Sequence, residues 1–450
     1  MTDENSRINS RNAQVIQRAF DVLRGNRFLI NGHSFTIPSR TVESDDHLDY
    51  DGKQWLWDSA FHAMILASQD GEMAKDELRS VFACQHRDGF VPHMNYFRGD
   101  AGKVPDWAKP HFENFCDSPE GSDITGARRN EFINTYWSYQ DHSDITQPPV
   151  LAVAVETVME STNDAVFLGE MLPRLKKYYD YLHQRRDSDR DGLISIIHPW
   201  ESGWDNSQRW DLTLGVADGE RSHIDNRKMR LISIYKKLNW NLDRIFELDE
   251  FNVEPVDFNV IYAVNMTALA RLCRRIGDTD GADVYENRAD KTRRAIFQKM
   301  WDGDKYTDLC TKDEIKSPVK SAAMFYPMIL PGEEHHRHLI EKHLANPAEF
   351  NLTRMVPTTS RDHDLYDGSQ YWRGNIWINI NWFLWNALMK VIRDNPDYHP
   401  AKLMAHRIKE SSFELLAKSG FFEYFNPETD DGYGVKNFAW NGLVRFMDLV

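Results

Sequence analysis

Apolar residues recur at three- and four-residue steps along most of the chain. From Phe258 the run Ile261, Tyr262, Leu269, Leu272 and Ile276 leads to Gly277, which predicts an amphipathic helix closed by a glycine C-cap. The same period appears at 73–84 (Met73, Leu78, Val81, Phe82), at 281–301 (Val284, Tyr285, Ile296, Phe297, Met300) and at 401–418 (Leu403, Met404, Ile408, Phe413, Leu416). Clear strand alternation is scarce. Loops bearing Gly, Pro and Asp separate the helices, and no fixed-period repeat announces a solenoid. Helices in this number must bury their stripes against one another, in a stack or in a closed ring of hairpins. A ring gathers the loops from one end of every hairpin around a single pocket. The longest irregular stretch, 94–144, is rich in aromatic and charged residues and reads as a flap over that pocket. No linker composition divides the 450 residues, so one domain spanning 1–450 is the expectation.

Composition narrows the partners. With 41% apolar residues the chain can bury a large core, and its 69 acidic against 54 basic residues give a net charge of −15. That charge argues against nucleic acid or an anionic membrane as partner. The first residues, MTDENSRINSRNAQVIQRAF, have no apolar segment of a signal peptide, and no apolar run is long enough to span a bilayer. A cytoplasmic protein is expected, and homo-oligomer formation is compatible with the sequence. Cys84, Cys116, Cys273 and Cys310 show no CxxC spacing, so neither a disulfide framework nor a zinc knuckle is expected. No cofactor is expected either, since no glycine-rich phosphate loop is evident.

The candidate chemistry lies in aromatic clusters. The chain has 14 tryptophans, grouped as Trp55 and Trp57 in QWLWDSAF, Trp200, Trp204 and Trp210 in HPWESGWDNSQRWD, and Trp372 and Trp377 in QYWRGNIW. Pyranose C–H faces stack on tryptophan while Asp, Asn, Gln and Arg hold the hydroxyls. Any one of these tryptophans reads equally as core; three clusters mixed with polar residues point to a sugar site. Glycosidic bonds are usually cut by two carboxyl groups, one protonated at working pH. Burial against aromatics raises a carboxyl pKa, which suits Asp205 between Trp204 and Trp210 as an acid. Asp205 reads equally as a helix N-cap, and Glu201 and Asp211 compete with it. GFFEYFNPETDDGYG offers Glu423 among aromatics for the second role, with Glu428 beside Pro427 reading as a turn residue.

QWLWDSAF, DITQPPV, WESGWDNSQRWD, QYWRGNIW and FFEYFNP, in that order from about Gln54 to Trp440, together resemble glycoside hydrolase family 63. The resemblance is to its compact bacterial branch of glucosylglycerate and mannosylglycerate hydrolases. It implies an (α/α)6 barrel with long active-site loops and an inverting, exo-acting α-glycosidase for a small glucoside or mannoside. By the same resemblance Asp205 is the general acid and Glu423 the general base. Trp55, Trp57, Asp58, Gln147, Tyr371, Trp372 and Trp377 fall on positions expected to line the sugar subsite. Glu201, Arg373 and Gly374 share those motifs and join the substrate-binding set. Inversion places the two carboxyls roughly 6.5–9.5 Å apart, with room for a water. In the branch an Arg and a Tyr after the acid motif are expected to hold glycerate. The corresponding GVADGERSHIDNRKMRL offers Arg221, His223 and Arg227 but no Tyr.

Other signals carry less. DSDRDG at 187–192 matches the start of a calcium loop, but its twelfth position is His198 where a bidentate Glu belongs. It reads as a tight acidic turn, and no metal is expected. The run Glu334-His335-His336-Arg337-His338 reads as an exposed helix start. Two rival functions stay open. A sugar epimerase on a helical ring would use paired histidines, among His62, His93 and His198, and a carbohydrate-binding protein would have lost catalysis.

Overall fold

The computed structural model of the chain describes residues 2–40 and 50–448. Six inner elements contact one another in sequence order: Leu56–Leu66, Leu151–Thr162, Val256–Arg275, Ala322–Ile329, Ile378–Asp394 and Ala439–Asp448, the last returning to the first. Outside them pack Gly71–Val81, Ala165–Arg185, Thr279–Ala295 and His399–Ser419, each on the inner helix it follows, while Thr2–Gly25 covers Ala439–Asp448. The segment 336–344 follows Ala322–Ile329 and packs on His399–Ser419. This closed ring of hairpins is the (α/α)6 barrel that the helical periodicity and motif order predict.

Position in the ring explains the sequence of each helix. Leu56–Leu66 is buried along its whole length, as an element enclosed on all sides requires. Outer helices keep a stripe. Ala282, Tyr285, Ala289 and Thr292 form the buried face of Thr279–Ala295, so Val284, about 100° around the helix from Tyr285, is 46% exposed. Leu403 beside buried Met404, and Ile276 just past its helix, are likewise exposed. These three were expected on apolar stripes and fall out of phase with them. Two inner elements, Ala322–Ile329 and Ala439–Asp448, are 3-10 helices. Pro327 cannot supply an α-helical hydrogen bond in the first, and in the second a Cβ at Gly442 would crowd Ile65 at 3.1 Å.

Short strand pairs carry the site. Lys53–Trp55 pairs antiparallel with Met94–Tyr96, and Phe422–Phe425 with Gly432–Lys436. The stretch 94–144 is less irregular than its composition suggests. It contains helices Lys109–Asp117 and Gly126–Asn134, and the first packs against Arg221–Lys237.

One ion network ties the tryptophan-rich loop at 198–211 to the ring. Buried Arg209 donates to Asp257 (2.5 Å), in the first turn of Val256–Arg275, and to both oxygens of Asp308 (2.6 and 2.9 Å). Removing one partner of such a group leaves uncompensated buried charge. Arg209→Ala should therefore lower unfolding free energy by about 3–5 kcal/mol. Denaturant titration checks this, and a loss below about 1 kcal/mol would contradict the role given to the network.

Candidate active site

Asp205 lies in the bend between the 3-10 turn Pro199–Ser202 and the turn Gln208–Trp210. Gly203 between them has φ +75°, and a Cβ there would enter the Trp57 ring. Only glycine lets the loop lie this close to the helix carrying Trp57. The cap of the second turn is Ser207, whose side chain accepts from Arg209 N, so Asp205 is not consumed as an N-cap. Its two local competitors are engaged elsewhere. Glu201 receives a two-pronged ion pair from Arg186 (2.7 and 2.9 Å) together with Thr146 N and Ile197 N. Asp211 is bound by Arg373 (2.7 and 3.1 Å). Scarcity of water around Asp205 pushes its carboxyl up to about 6, with Lys228 opposing and Asp225 assisting. Lys228 is held by Asn206 (2.5 Å) and Asp225 (2.8 Å).

Glu423 comes from the hairpin after the last long helix. The register of Phe422–Phe425 against Gly432–Lys436 shifts between Phe422 and Tyr424, so Glu423 is the residue at the bulge, a device that re-aims a side chain. Its Oε1 accepts from Tyr371 OH and its Oε2 from Val435 N, both at 3.3 Å. Gly434, at φ +69°, leaves room where a Cβ would strike Oε2. Glu428 sits in the turn, paired with Arg361 at 3.1 Å.

The two carboxyls converge. Asp58 and Tyr371 each experience the charge of both Asp205 and Glu423. Asp58, in the first turn of Leu56–Leu66, is buried, and desolvation followed by those two neighbours holds its carboxyl well above the usual range. Asp205, Trp55 and Gln147 line a cavity of about 580 Å³, within the span typical of small-ligand sites. Gln147 also accepts from Trp57 N at 3.3 Å.

Other motif residues form a framework with this surface. Trp204, Trp372, Trp377 and Tyr424 form a buried stack with ring separations of 5.4, 3.7 and 5.0 Å. Trp372 holds a left-handed φ of 65° within it. The stack runs from the loop of Asp205 to the strand of Glu423. Trp57, Trp372 and Trp377 are buried in this framework, as Asp58, Gln147 and Glu423 are beside them. Glu201 and Arg373 are committed to ion pairs, and a Cβ at Gly374 would enter the Tyr366 ring.

Sequence reasoning missed much of the opposite wall. It comes from Tyr96, Lys103, Trp107, Tyr136 and Trp137, with Lys53 beside them. Aromatic density in 94–144 was the available signal, but it does not say which rings face inward. Arg221, His223 and Arg227 lie on the exposed side of Arg221–Lys237. The histidines of the epimerase reading are all buried. Burial pushes His62 and His93 down to about 3, and His198 well below its ordinary value, far from what a histidine acid–base pair near neutrality needs.

A helical ring whose loops bring acidic side chains to one tryptophan-framed cavity defines the barrel class of glycoside hydrolases. The chain belongs to glycoside hydrolase family 63: residues 50–441 match the model of the mannosylglycerate hydrolase MGH1-like glycoside hydrolase domain. It is 31% identical to the mannosylglycerate hydrolase of Rubrobacter radiotolerans, over 88% of this chain and 90% of that one. It is 25% identical to the glucosylglycerate hydrolase of Mycolicibacterium hassiacum, over 87% and 90%. The GH63 mannosylglycerate hydrolase of Thermus thermophilus, solved with Tris and D-glycerate, superposes with a TM-score of 0.76 at 26% identity, covering 97% of this chain and all of that one. The chain is a glycoside hydrolase.

The raised carboxyl of Asp205 has a measurable consequence. Its folded-state pKa of about 6 exceeds the ordinary 3.8, so the proton is held more tightly in the folded protein. The associated stability is present at pH below the ordinary value and is lost as pH rises through about 6. Asp205→Asn should gain roughly 1–3 kcal/mol relative to wild type between mildly acidic and neutral pH. Denaturation at both pH values reads the difference, and an unchanged difference would contradict the dry setting of this carboxyl.

Proposed function

We propose that the enzyme hydrolyses a small α-mannoside or α-glucoside of glycerate with inversion. Asp205 protonates the glycosidic oxygen, and Glu423 takes a proton from a water on the far face of the ring. The carrying observation is that the stack Trp204–Trp372–Trp377–Tyr424 joins the neighbour of Asp205 to the neighbour of Glu423, with Tyr371 OH on Glu423 at 3.3 Å. Asp205 has the raised carboxyl of an acid, and Glu423 faces Tyr371 OH and Val435 N, an arrangement suited to an ionised base. Water attacks while the acid releases the aglycone, which inverts the anomeric carbon. Asp58, kept protonated, donates to a sugar hydroxyl, with Trp55 and Gln147 at the cavity wall.

Glycerate brings a carboxylate into a cavity lined by Lys53 and Lys103. Those cations support an anionic aglycone in place of the Arg and Tyr expected from the family. The stretch 94–144 supplies that wall and serves as the lid, within one catalytic domain. A reducing, cytoplasmic setting is supported by the four free cysteines. Among the described residues no helix is long and apolar enough to cross a membrane.

Proton NMR of the reaction with α-mannosylglycerate should show β-mannose as the first-formed sugar; α-mannose first would exclude inversion. Asp205→Asn and Glu423→Gln should each lower kcat by about 10³-fold or more while retaining the wild-type circular dichroism spectrum. Near-normal turnover in either would remove that residue from the mechanism. Lys103→Met should lower the preference for α-mannosylglycerate over uncharged α-mannosylglycerol by roughly tenfold, read as the ratio of kcat/KM values. An unchanged ratio would take Lys103 out of aglycone recognition.

A further inference from the structure

Two histidines and an aspartate meet in the outer layer of the ring, apart from the residues that line the cavity. His338 Nε2 stands 2.8 Å and His343 Nε2 3.3 Å from the same oxygen, Asp304 Oδ1. One nitrogen from each ring and one carboxylate oxygen thus lie within 4.8 Å of one another. The two ring centres are 5.6 Å apart. Imidazoles sharing one tetrahedral zinc, at Zn–N distances of about 2.0–2.1 Å, have their centres about 5 Å apart. Lys342, more than half exposed, also donates to Asp304.

The backbone brings these groups together. Residues five apart in an α-helix lie about 140° apart around the axis, so His338 and His343 would face different ways. Leu339–Leu344 is instead a π-helix, whose wider turn carries positions 338 and 343 to one side. Single π turns are rare, and many of them occur at functional sites. Asp304 sits in a pinned turn: Asp302 Oδ1 accepts from Asp304 N and Lys305 N, both at 2.9 Å, and Trp301 bridges to Tyr306.

Behind His343 stands Glu349, and both are buried. Glu349 Oε2 is 2.7 Å from His343 Nδ1, and its Oε1 accepts from Lys320 at 2.9 Å. The ring therefore faces a carboxylate oxygen with each nitrogen. A neutral imidazole has one N–H, so both contacts are satisfied only by a protonated ring or by a cation between Nε2 and Asp304. A carboxylate on the far nitrogen is also what fixes the tautomer and orientation of a metal-ligating histidine.

We propose that Asp304, His338 and His343 bind a zinc ion, with Glu349 orienting His343 and a water completing the tetrahedron. Two imidazoles and a carboxylate suit zinc, whereas calcium and magnesium take oxygen donors. The run Glu334-His335-His336-Arg337-His338 holds one of these ligands, and Asp304 is 34 positions before His338, so the linear sequence does not display the set. The ion would displace Lys342 and tie the turn 301–306 to the outer segment 336–344. Its role is to brace the outer layer, independently of the chemistry assigned to the active site.

The test uses the full chain freed of transition ions with phenanthroline and titrated with zinc chloride by isothermal titration calorimetry, with melting temperatures read in parallel. Zinc should bind and raise Tm, since a ligand of the folded state alone stabilises it. His338→Gln and Asp304→Asn change partly exposed side chains and keep the fold; each should weaken zinc binding by about tenfold or more. Glu349→Gln leaves all three ligands in place and should still weaken binding by about tenfold. His86→Gln, in the separate pair with His142 (Nε2 to Nε2 3.0 Å), should leave the affinity unchanged. No binding heat and no Tm response in wild type would overturn the proposal. So would wild-type affinity in His338→Gln and Asp304→Asn, or a loss of zinc confined to His86→Gln.

Discussion

Three buried arginine–carboxylate pairs hold the loop on which the site depends. Arg186 grips Glu201, Arg209 grips Asp257 and Asp308, and Arg373 grips Asp211. Each pair has one member in 201–211, the segment that carries Asp205, and the partners come from three other regions of the ring. Buried pairs of this kind contribute little net stability once desolvation is counted, and their loss is costly because a lone charge stays behind. Their effect is geometric: with both flanking carboxylates neutralised by guanidinium, Asp205 is the acid of its segment left facing the cavity. The loop is thereby dry, rigid and locally neutral, the conditions under which a carboxyl keeps its proton.

The aromatic stack transmits that placement across the ring. Trp204 is next to Asp205 in sequence, Tyr424 is next to Glu423, and Trp372 and Trp377 lie between them in contact. Arg209 lies over the Trp204 and Trp210 rings at 4.9 and 4.6 Å, which couples the stack to the ion network. A change in thickness anywhere in this column would alter the spacing of the two carboxyls. That explains why Trp204 and Tyr424 share sequence motifs with the two carboxyls.

What was legible in the sequence follows the range of the interactions. Helix period is local, so the inner helix Val256–Arg275 and the outer helices Gly71–Val81, Thr279–Ala295 and His399–Ser419 could be read, and the errors at Ile276, Val284 and Leu403 are single steps of helical phase. The close packing of Ile65 on Gly442, within the 3-10 helix Ala439–Asp448, joins segments far apart in the chain. Glu423 sat in a run too aromatic and too short to show alternation, and the bulge that aims it exists only once 432–436 pairs alongside. Motif order found Trp57, Trp372, Trp377, Glu201 and Arg373, but not the stack and the ion pairs that join them. The partners of the three arginines lie between 15 and 162 positions away, beyond any local pattern.

Three carboxyls must also coexist in one dry pocket. If Asp58, Asp205 and Glu423 were all ionised, their repulsion would add to the desolvation of each. The surroundings separate them. Asp58 has burial and two acidic neighbours against its ionisation, which hold its carboxyl well above the usual range. Asp205 is intermediate, protonated on the acidic side of about 6 and restrained from rising further by Lys228, so it can both give a proton and release it. Glu423 has two donors directed at its oxygens, Tyr371 OH and Val435 N. In the proposed single-displacement hydrolysis Asp205 supplies the transferable proton, Glu423 acts as base and Asp58 holds a sugar hydroxyl. The residues that set these roles, Lys228, Tyr371 and the backbone at Val435, are outside the carboxyl set itself.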